Sequence, residues 1–380
     1  MFHECLGRSG NVSLNVRLTS VRYLPDIAPH LPRFSALEIH VVAPEQISKI
    51  ASHFSGPAPV LRRLSISAAP QAPIDLSVPR GIFGGDFASL RTLQLAGLPV
   101  LKPHQPFPQL TRFEFRTHAH AALRTGAMVE ALKKMLSLEV LHVEFCPSHD
   151  PPPPPKSLRF VILPKLREVE LTTFKDPLLR PPAFIPPLLS VLSLPSVEQI
   201  TIGMLPPAGS VPLPGSFKER LPNLAETETV DIYLSPLRFN VSFHGLRGSR
   251  LLFTTNCGPQ NPFQREAFCG TPFLSVKKMV VTFDISSVHS PDPEKYFFEL
   301  LQVMEQLEYL EIRGQCARLL TVWSGGWYLM DQRSICPSLQ SLVVVKRSGD
   351  SVSELLAELA MVRRSCGVRL FEVVEVVSDE

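Results

Sequence analysis

His142-Val143-Glu144, followed after Phe145 by Cys146-Pro147, supplies the first half of what a zinc-dependent deaminase requires: an imidazole ligand, a carboxylate that moves protons and a thiolate nearby. The second half, a C-x-x-C pair, does not occur among Cys5, Cys146, Cys257, Cys269, Cys316, Cys336 and Cys366. His142 and Glu144 are alternate residues of an apolar-polar run, so they read more simply as neighbours on the solvated side of a strand. His118-Ala119-His120 could present two imidazoles to a metal, yet no third ligand lies close in sequence. Gly81-Ile82-Phe83-Gly84-Gly85 lacks the lysine of a phosphate loop and reads as a turn. No G-x-S-x-G elbow occurs, and no cysteine carries a nucleophile's local signature. These residues predict no catalytic group, no bound metal and no cofactor, and hence no enzyme.

The elements that must position such side chains follow from composition and pattern. With 44% hydrophobic and 19% charged residues in 380, the chain can bury a large core. Its 38 basic and 35 acidic residues leave a formal charge of +3, too mild and interspersed to make nucleic acid or an anionic membrane the expected partner. The doublets Arg62-Arg63, Lys133-Lys134, Lys277-Lys278 and Arg363-Arg364 read first as solvated faces, with phosphate binding the less favoured alternative. No apolar run has the length of a signal peptide or a membrane span, so the expected location is the cytoplasm or nucleus. Seven scattered cysteines fit reduced thiols better than a disulfide framework.

One pattern, apolar-x-x-apolar-x-apolar, recurs along the whole chain. Its clear copies are Phe34-x-x-Leu37-x-Ile39, Leu61-x-x-Leu64-x-Ile66, Leu90-x-x-Leu93-x-Leu95, Leu110-x-x-Phe113-x-Phe115, Leu138-x-x-Leu141-x-Val143 and Leu166-x-x-Val169-x-Leu171. It continues as Val197-x-x-Ile200-x-Ile202, Val276-x-x-Met279-x-Val281, Leu307-x-x-Leu310-x-Ile312 and Leu339-x-x-Leu342-x-Val344, with weaker copies at Val230-x-Ile232 and Phe371-x-Val373. Most copies follow one another at about thirty residues, near the leucine-rich-repeat range. The long interval between Val230 and Met279 predicts extra strands around Phe239-x-Val241-x-Phe243 and Leu251-Leu252-Phe253. Two apolar residues flanking a polar one make a strand with one buried face, and the apolar residue three before them closes the turn into it.

Between strands, amphipathic helices are expected on the faces Ile47, Ile50, Ala51, Phe54; Val129, Leu132, Leu136; Phe297, Leu300, Leu301, Met304; and Val352, Leu355, Leu356, Leu359. Asp292-Pro293 and Ser351 with Glu354 signal two helix starts. Strand-helix alternation with short connections predicts a parallel sheet with helices or loops on its other side. The expected fold is therefore α/β: one irregular leucine-rich-repeat solenoid over 1–380, with a parallel concave sheet and helices or loops on the convex side. A doubly wound sheet is the alternative, though it would not repeat one strand pattern so often. The prolines mark loops, most visibly 147–156, and 204–222 is the best candidate for a hinge.

In such a stack the residue between the two core positions of each strand forms an exposed column: Glu38, Ser65, Gln94, Glu114, His142, Glu170, Thr201, Asp231, Val280, Glu311, Val343 and Glu372. Six of the twelve are acidic and none is lysine or arginine. Carboxylates are poor strand formers that repel along a ladder, which hints at a basic partner; local pairing with Arg112, Arg116 and Arg313 is the competing explanation. Glu38, Glu114, His142, Glu170, Asp231 and Glu311 are the candidate partner-binding residues.

Three stretches carry a family resemblance: Leu6-Gly7-Arg8-Ser9-Gly10-Asn11-Val12-Ser13-Leu14-Asn15-Val16, Leu234-Ser235-Pro236-Leu237-Arg238-Phe239, and Ile335-Cys336-Pro337-Ser338-Leu339-Gln340-Ser341-Leu342. They resemble the repeat region of the F-box and leucine-rich-repeat-like proteins of mushroom-forming fungi. The resemblance implies a non-catalytic scaffold whose repeats capture a protein substrate for a ubiquitin ligase. Cullin-RING components are implied as partners only with an F-box upstream, because the sequence opens where that module would already have ended. A free-standing interaction protein without a ligase link is the alternative.

Overall fold

The computed structural model describes residues 7–41, 45–68, 82–85, 87–97, 107–116, 125–145, 161–173, 188–189, 191–203, 227–234, 238–245, 248, 250–256, 275–283, 301, 304–314, 320–321, 323, 336–347, 352–365 and 372–378. The chain divides into two compact units, Met1–Val197 and Glu198–Glu380. The proline-rich loop 147–156, the whole of the expected hinge at 204–222, the pair His118 and His120, Cys146 and the helix start Asp292-Pro293 lie outside the described residues.

The unit of construction is a turn feeding a strand. In Leu61, Leu90, Leu110, Leu138, Leu166, Val197, Leu307 and Leu339 the backbone N–H donates to the carbonyl three residues earlier, on Ala58, Phe87, Phe107, Met135, Leu163, Leu194, Met304 and Cys336 respectively. Phe34 does the same to Leu31. Proline occupies the second position of six of these turns, at Pro32, Pro59, Pro108, Pro164, Pro195 and Pro337, where its fixed φ suits a turn and its missing N–H is not needed. The repeat thus reads apolar-Pro-x-apolar-x-x-apolar-x-apolar, and part of the proline content paces it.

In the amino-terminal unit seven parallel strands lie in chain order: β1 (Leu14–Leu18), β2 (Phe34–Val41), β3 (Arg63–Ala68), β4 (Thr92–Ala96), β5 (Arg112–Arg116), β6 (Val140–Phe145) and β8 (Glu168–Thr173). The short β7 (Val161–Ile162) and β9 (Leu192–Ser193) form a separate parallel pair. The predicted inward residues are buried in every strand from β2 to β8, while the residues between them are half-buried or exposed. Each leucine, isoleucine or phenylalanine so buried contributes roughly 1.5–3 kcal/mol. Burial of one face alone fixes the register, because a one-residue slip would turn every apolar side chain outward.

β1 escaped the repeat template. Its inward residues by register are Val16 and Leu18, which pair with Leu37 and Ile39, and the position three before Val16 is the polar Ser13 rather than a leucine.

The carboxy-terminal unit orders its strands β10 (Gln199–Gly203), β13 (Arg250–Asn256), β12 (Arg238–Gly245), β11 (Thr227–Leu234), β14 (Lys278–Phe283), β15 (Tyr309–Gly314), β16 (Ser341–Arg347) and β17 (Glu372–Ser378). The extra strands anticipated in the long interval are β12 and β13. They enter antiparallel, β12 pairing with both β11 and β13, and every other pairing is parallel. The architecture is mixed α/β with mostly parallel strands and few helices.

One strand departs from its expected register. Leu342 pairs with Val373 and Val344 with Glu375, so the residues in register with the buried pair are Val373 and Glu375, both exposed on this last strand and two residues beyond the expected Phe371 and Val373. Val374, not Glu372, stands beside Val343. The segment Glu372-Val373-Val374-Glu375-Val376-Val377 is apolar on both faces and carries no alternation that could select one register.

Four helices belong to the description: α1 (Leu24–Ile27), α2 (Glu45–His53), α3 (Thr125–Leu132) and α4 (Ser353–Ser365). Ile50 and Phe54, Val129 and Leu132, and Val352, Leu356 and Leu359 are buried as the periodicity predicts, as are Leu301 and Met304. Leu136 is not: α3 ends at Leu132, the chain turns, and Leu136 is 57% exposed while Met135 takes the inward place. Phe34, Phe54, Phe83, Phe87 and Phe107 form a continuous aromatic chain with centroid separations of 6.3, 6.0, 6.1 and 5.1 Å. The glycine-rich segment is the expected turn, Ile82–Gly85, with Phe83 at φ 57° and its N–H on the Phe54 carbonyl.

Candidate binding surface

The parallel register of the amino-terminal unit turns the predicted column into a physical ladder. Arg17 pairs with Glu38, Glu38 with Ser65, Ser65 with Gln94, Gln94 with Glu114, Glu114 with His142 and His142 with Glu170. Four of the predicted site residues, Glu38, Glu114, His142 and Glu170, thus share one open face. Arg17 joins the column through β1, which lacks the leading leucine of the repeat, and it places a cation at the head of a column rich in carboxylates.

The carboxylates of this face are engaged by their own neighbours. Arg17 Nε lies 3.3 Å from Glu38 Oε1. Glu114 accepts from Arg112 Nε at 2.5 Å and from Gln94 Nε2 at 2.9 Å, and Arg116 Nε lies 3.2 Å from Glu144 Oε2. His142 reaches Glu168 through Nε2 at 2.9 Å and Glu170 through Nδ1 at 3.6 Å. Those two carboxylates meet different ring nitrogens, so the three side chains do not converge on one ion. Among the described residues no group of three histidine, cysteine or acidic side chains is placed to hold a metal. Burial by itself raises the carboxyl of Glu114, but the hydrogen bonds from Arg112 and Gln94 and the charges of Arg112 and His142 outweigh it and hold the group below the ordinary carboxylate value.

In the carboxy-terminal unit Asp231 pairs with Ser242 across β11 and β12 and with Val280 across β14. Its Oδ2 lies 2.8 Å from His244 Nε2, and Ser242 Oγ lies 3.2 Å from the same nitrogen. A serine, a histidine and an aspartate in contact invite comparison with a hydrolytic triad. That relay needs the serine on one imidazole nitrogen and the carboxylate on the other, whereas here both compete for Nε2. Arg250 Nε also donates to Ser242 Oγ at 2.7 Å, and Ser242 is only 4% exposed. The arrangement is a strand-to-strand polar clasp. The last candidate, Glu311, is 9% exposed and accepts from Tyr309 Oη at 2.8 Å and Arg313 Nε at 2.6 Å, which leaves it little capacity for a partner. Burial and the Glu311 charge push the Tyr309 phenol upward.

Compared with known protein families and with curated proteins, the chain matches no family model and no curated protein.

Two shallow depressions open on the amino-terminal unit's strands. One, of about 590 Å³, is lined by Ser13, Asn15, Ser35, Ala36, Val60, Arg62, Arg63, Arg91 and Thr92. The other, of about 350 Å³, lies over the column at Arg17, Glu38, Ser65 and Gln94 and shares Asn15, Ala36 and Arg63 with the first. No helix among the described residues is long and apolar enough to cross a membrane.

Proposed function

We propose that this protein is a non-catalytic protein-binding scaffold, an irregular leucine-rich-repeat solenoid similar in role to the substrate-recognition region of an F-box ubiquitin-ligase adaptor. The observation that carries the reading is the unbroken ladder from Arg17 to Glu170. Seven strands present successive polar side chains on one open face, their opposite face is committed to the core, and adjoining depressions score the open face at β1 to β4. Parallel strands spaced at about 4.8 Å offer a partner a regular row of side chains on a rigid support, and side chains on rigid elements recognise more sharply than those on loops. The internal pairing of Glu38, Glu114 and His142 rests the face near neutrality, so the partner is selected by shape and by whichever charges remain unpaired rather than by an acidic stripe.

The test places a photo-crosslinking amino acid at Ser65 or Gln94 on the open face, and at Ser52 or Lys49 on α2, in the full chain expressed in its native cell. Discrete protein adducts from the first pair and not the second support the reading. Equal adduct patterns from the two pairs overturn it. Cullin-RING components among proteins bound to the intact native gene product would support the ligase role.

A further inference from the structure

We infer that Arg62, Arg63 and Arg91 form a site for a phosphate monoester, supplied by a phosphorylated side chain of the protein partner. This rests on the scaffold reading and adds the chemistry of what is recognised. The first observation is the contrast in pairing. On the same unit Arg17, Arg112 and Arg116 each meet a carboxylate, and Arg33 donates to Ser9 and to the Val12 carbonyl. Arg62, Arg63 and Arg91 are exposed, and no described carboxylate pairs with any of them.

The second observation is convergence. The Arg62 N–H donates to the Ser35 carbonyl at 2.8 Å, and the Arg91 N–H donates to the Arg62 carbonyl at 2.8 Å, so the two arginines are adjacent rungs of the turn that precedes the strands. Arg63 stands across from Thr92 in the β3–β4 register. All three line the depression of about 590 Å³, together with Ser13, Asn15, Ser35 and Thr92. Like charges on adjacent rungs repel one another, and a dianion relieves that repulsion. Guanidinium is the group suited to this task, because its fork of donors matches two phosphate oxygens at once, and hydroxyls and an amide remain to satisfy the third. Among the described residues the lining contains three cations and no carboxylate, so a dianionic ester is favoured over a single carboxylate.

The third observation selects the source. Among the described residues the lining holds no aromatic side chain on which a base could stack, a feature that single-stranded nucleic acid sites use. The apolar contact offered is Val60, 42% exposed at the margin, which suits an aliphatic neighbour of a phosphorylated residue. Lys133-Lys134 provides a contrast: Lys133 is already paired with Glu130 on α3.

The experiment measures binding of the full chain to a degenerate phosphoserine and phosphothreonine peptide library, to its unphosphorylated twin and to a mixed-sequence oligoribonucleotide, with inorganic phosphate as competitor. The expected result is retention of the phosphorylated library at least tenfold above its twin and displacement by inorganic phosphate. Arg62→Gln, Arg63→Gln and Arg91→Gln should each weaken retention at least fivefold, Arg91→Lys should recover only part of it, and Lys133→Gln should leave it unchanged. All three arginines are exposed, so unchanged thermal unfolding of the variants separates loss of binding from loss of fold. Equal retention of the two libraries, retention indifferent to the three substitutions, or arginine-dependent binding of the oligoribonucleotide in place of phosphopeptide would overturn the inference. Open-face crosslinks that persist in the triple glutamine variant would overturn it while leaving the scaffold reading intact. Loss of those crosslinks in wild type, with phosphopeptide retention preserved, would overturn the scaffold reading alone.

Discussion

Arg112 and Glu114 stand two residues apart on one strand face, and the guanidinium Nε lies 2.5 Å from Oε1 of the carboxylate. A residue that reads in the sequence as an acidic lure for a basic partner is therefore held by its own strand. Because Glu114 titrates below the ordinary value of 4.5 in the folded protein, its contribution to stability is complete above that value and is lost as pH falls through the folded pKa. Glu114→Gln should cost on the order of 1 kcal/mol at pH 7. Urea unfolding of both proteins should show the gap narrowing as pH is taken below 4.5; a gap independent of pH would mean that ionisation of Glu114 contributes nothing.

Gly314 closes β15 at φ 84°, and a Cβ placed on it would lie 2.1 Å from the Phe283 carbonyl oxygen on β14. The obstacle is backbone, which cannot swing aside, and the φ already disfavours an L side chain. Gly314→Ala should therefore destabilise by at least ~2 kcal/mol. Gly126 is the control, since it lies in α3 with nothing within 4 Å of its missing Cβ. Gly126→Ala should stabilise by roughly 0.5–1 kcal/mol. Equal and small effects at both positions in thermal unfolding would contradict the close approach of β14 and β15.

The repeat was legible because its chemistry is local. Leu61, Leu64 and Ile66 announce a turn and a half-buried strand without help from the rest of the chain; β2 to β6, β8, β10 and β14 to β16 all stand where such triplets stand, and β11 stands at the weaker copy Val230-x-Ile232. Elements lacking the local signal were lost: β1, where Ser13 replaces the leading leucine, and the register of β17, whose valines point both ways. The column was legible as a set of positions but not as a set of charges available to a partner. Pairing depends on which strand lies beside which, so Arg17 beside Glu38, and Glu168 within reach of His142, emerge only from the three-dimensional register. For the same reason the absence of a described carboxylate beside Arg62 and Arg63 could not be told from the pairing of Lys133 with Glu130 by reading doublets.

The aromatic chain makes Phe54 a point where several repeats depend on one side chain. It meets Phe34 edge-on at 6.3 Å and stacks on Phe83 at 6.0 Å, fully buried, and its carbonyl accepts from Phe83. Removing the ring leaves a cavity between the Phe34 and Phe83 rings, which lose their contacts with it. Phe54→Ala should cost roughly 3–5 kcal/mol, whereas Phe54→Leu should cost less than half as much because most of the volume is kept. Denaturant titration of both variants checks the ordering, and near-equal losses would argue that the Phe83 turn, rather than the ring, holds this region.

Cys336 opens the turn into β16 with its thiol fully buried, Sγ 3.4 Å from the Leu301 carbonyl. Burial pushes that thiol up to about 12, and the charge of Arg363 offsets only part of the effect. The reactive species is the thiolate, so at pH 8 only about one molecule in ten thousand would carry it, and the side chain has no route to reagent while folded. Alkylation by iodoacetamide at pH 8, read by mass spectrometry on the peptide containing Cys336, should therefore proceed no faster than unfolding and become rapid above the denaturant midpoint. The same shift sets an alkaline limit. The neutral thiol favours the folded state, fully so below 9.0, and this contribution disappears as pH rises towards about 12. Cys336→Ala should lose less stability than wild type over that interval, and rapid alkylation of the native chain at pH 8 would show instead that the turn opens locally.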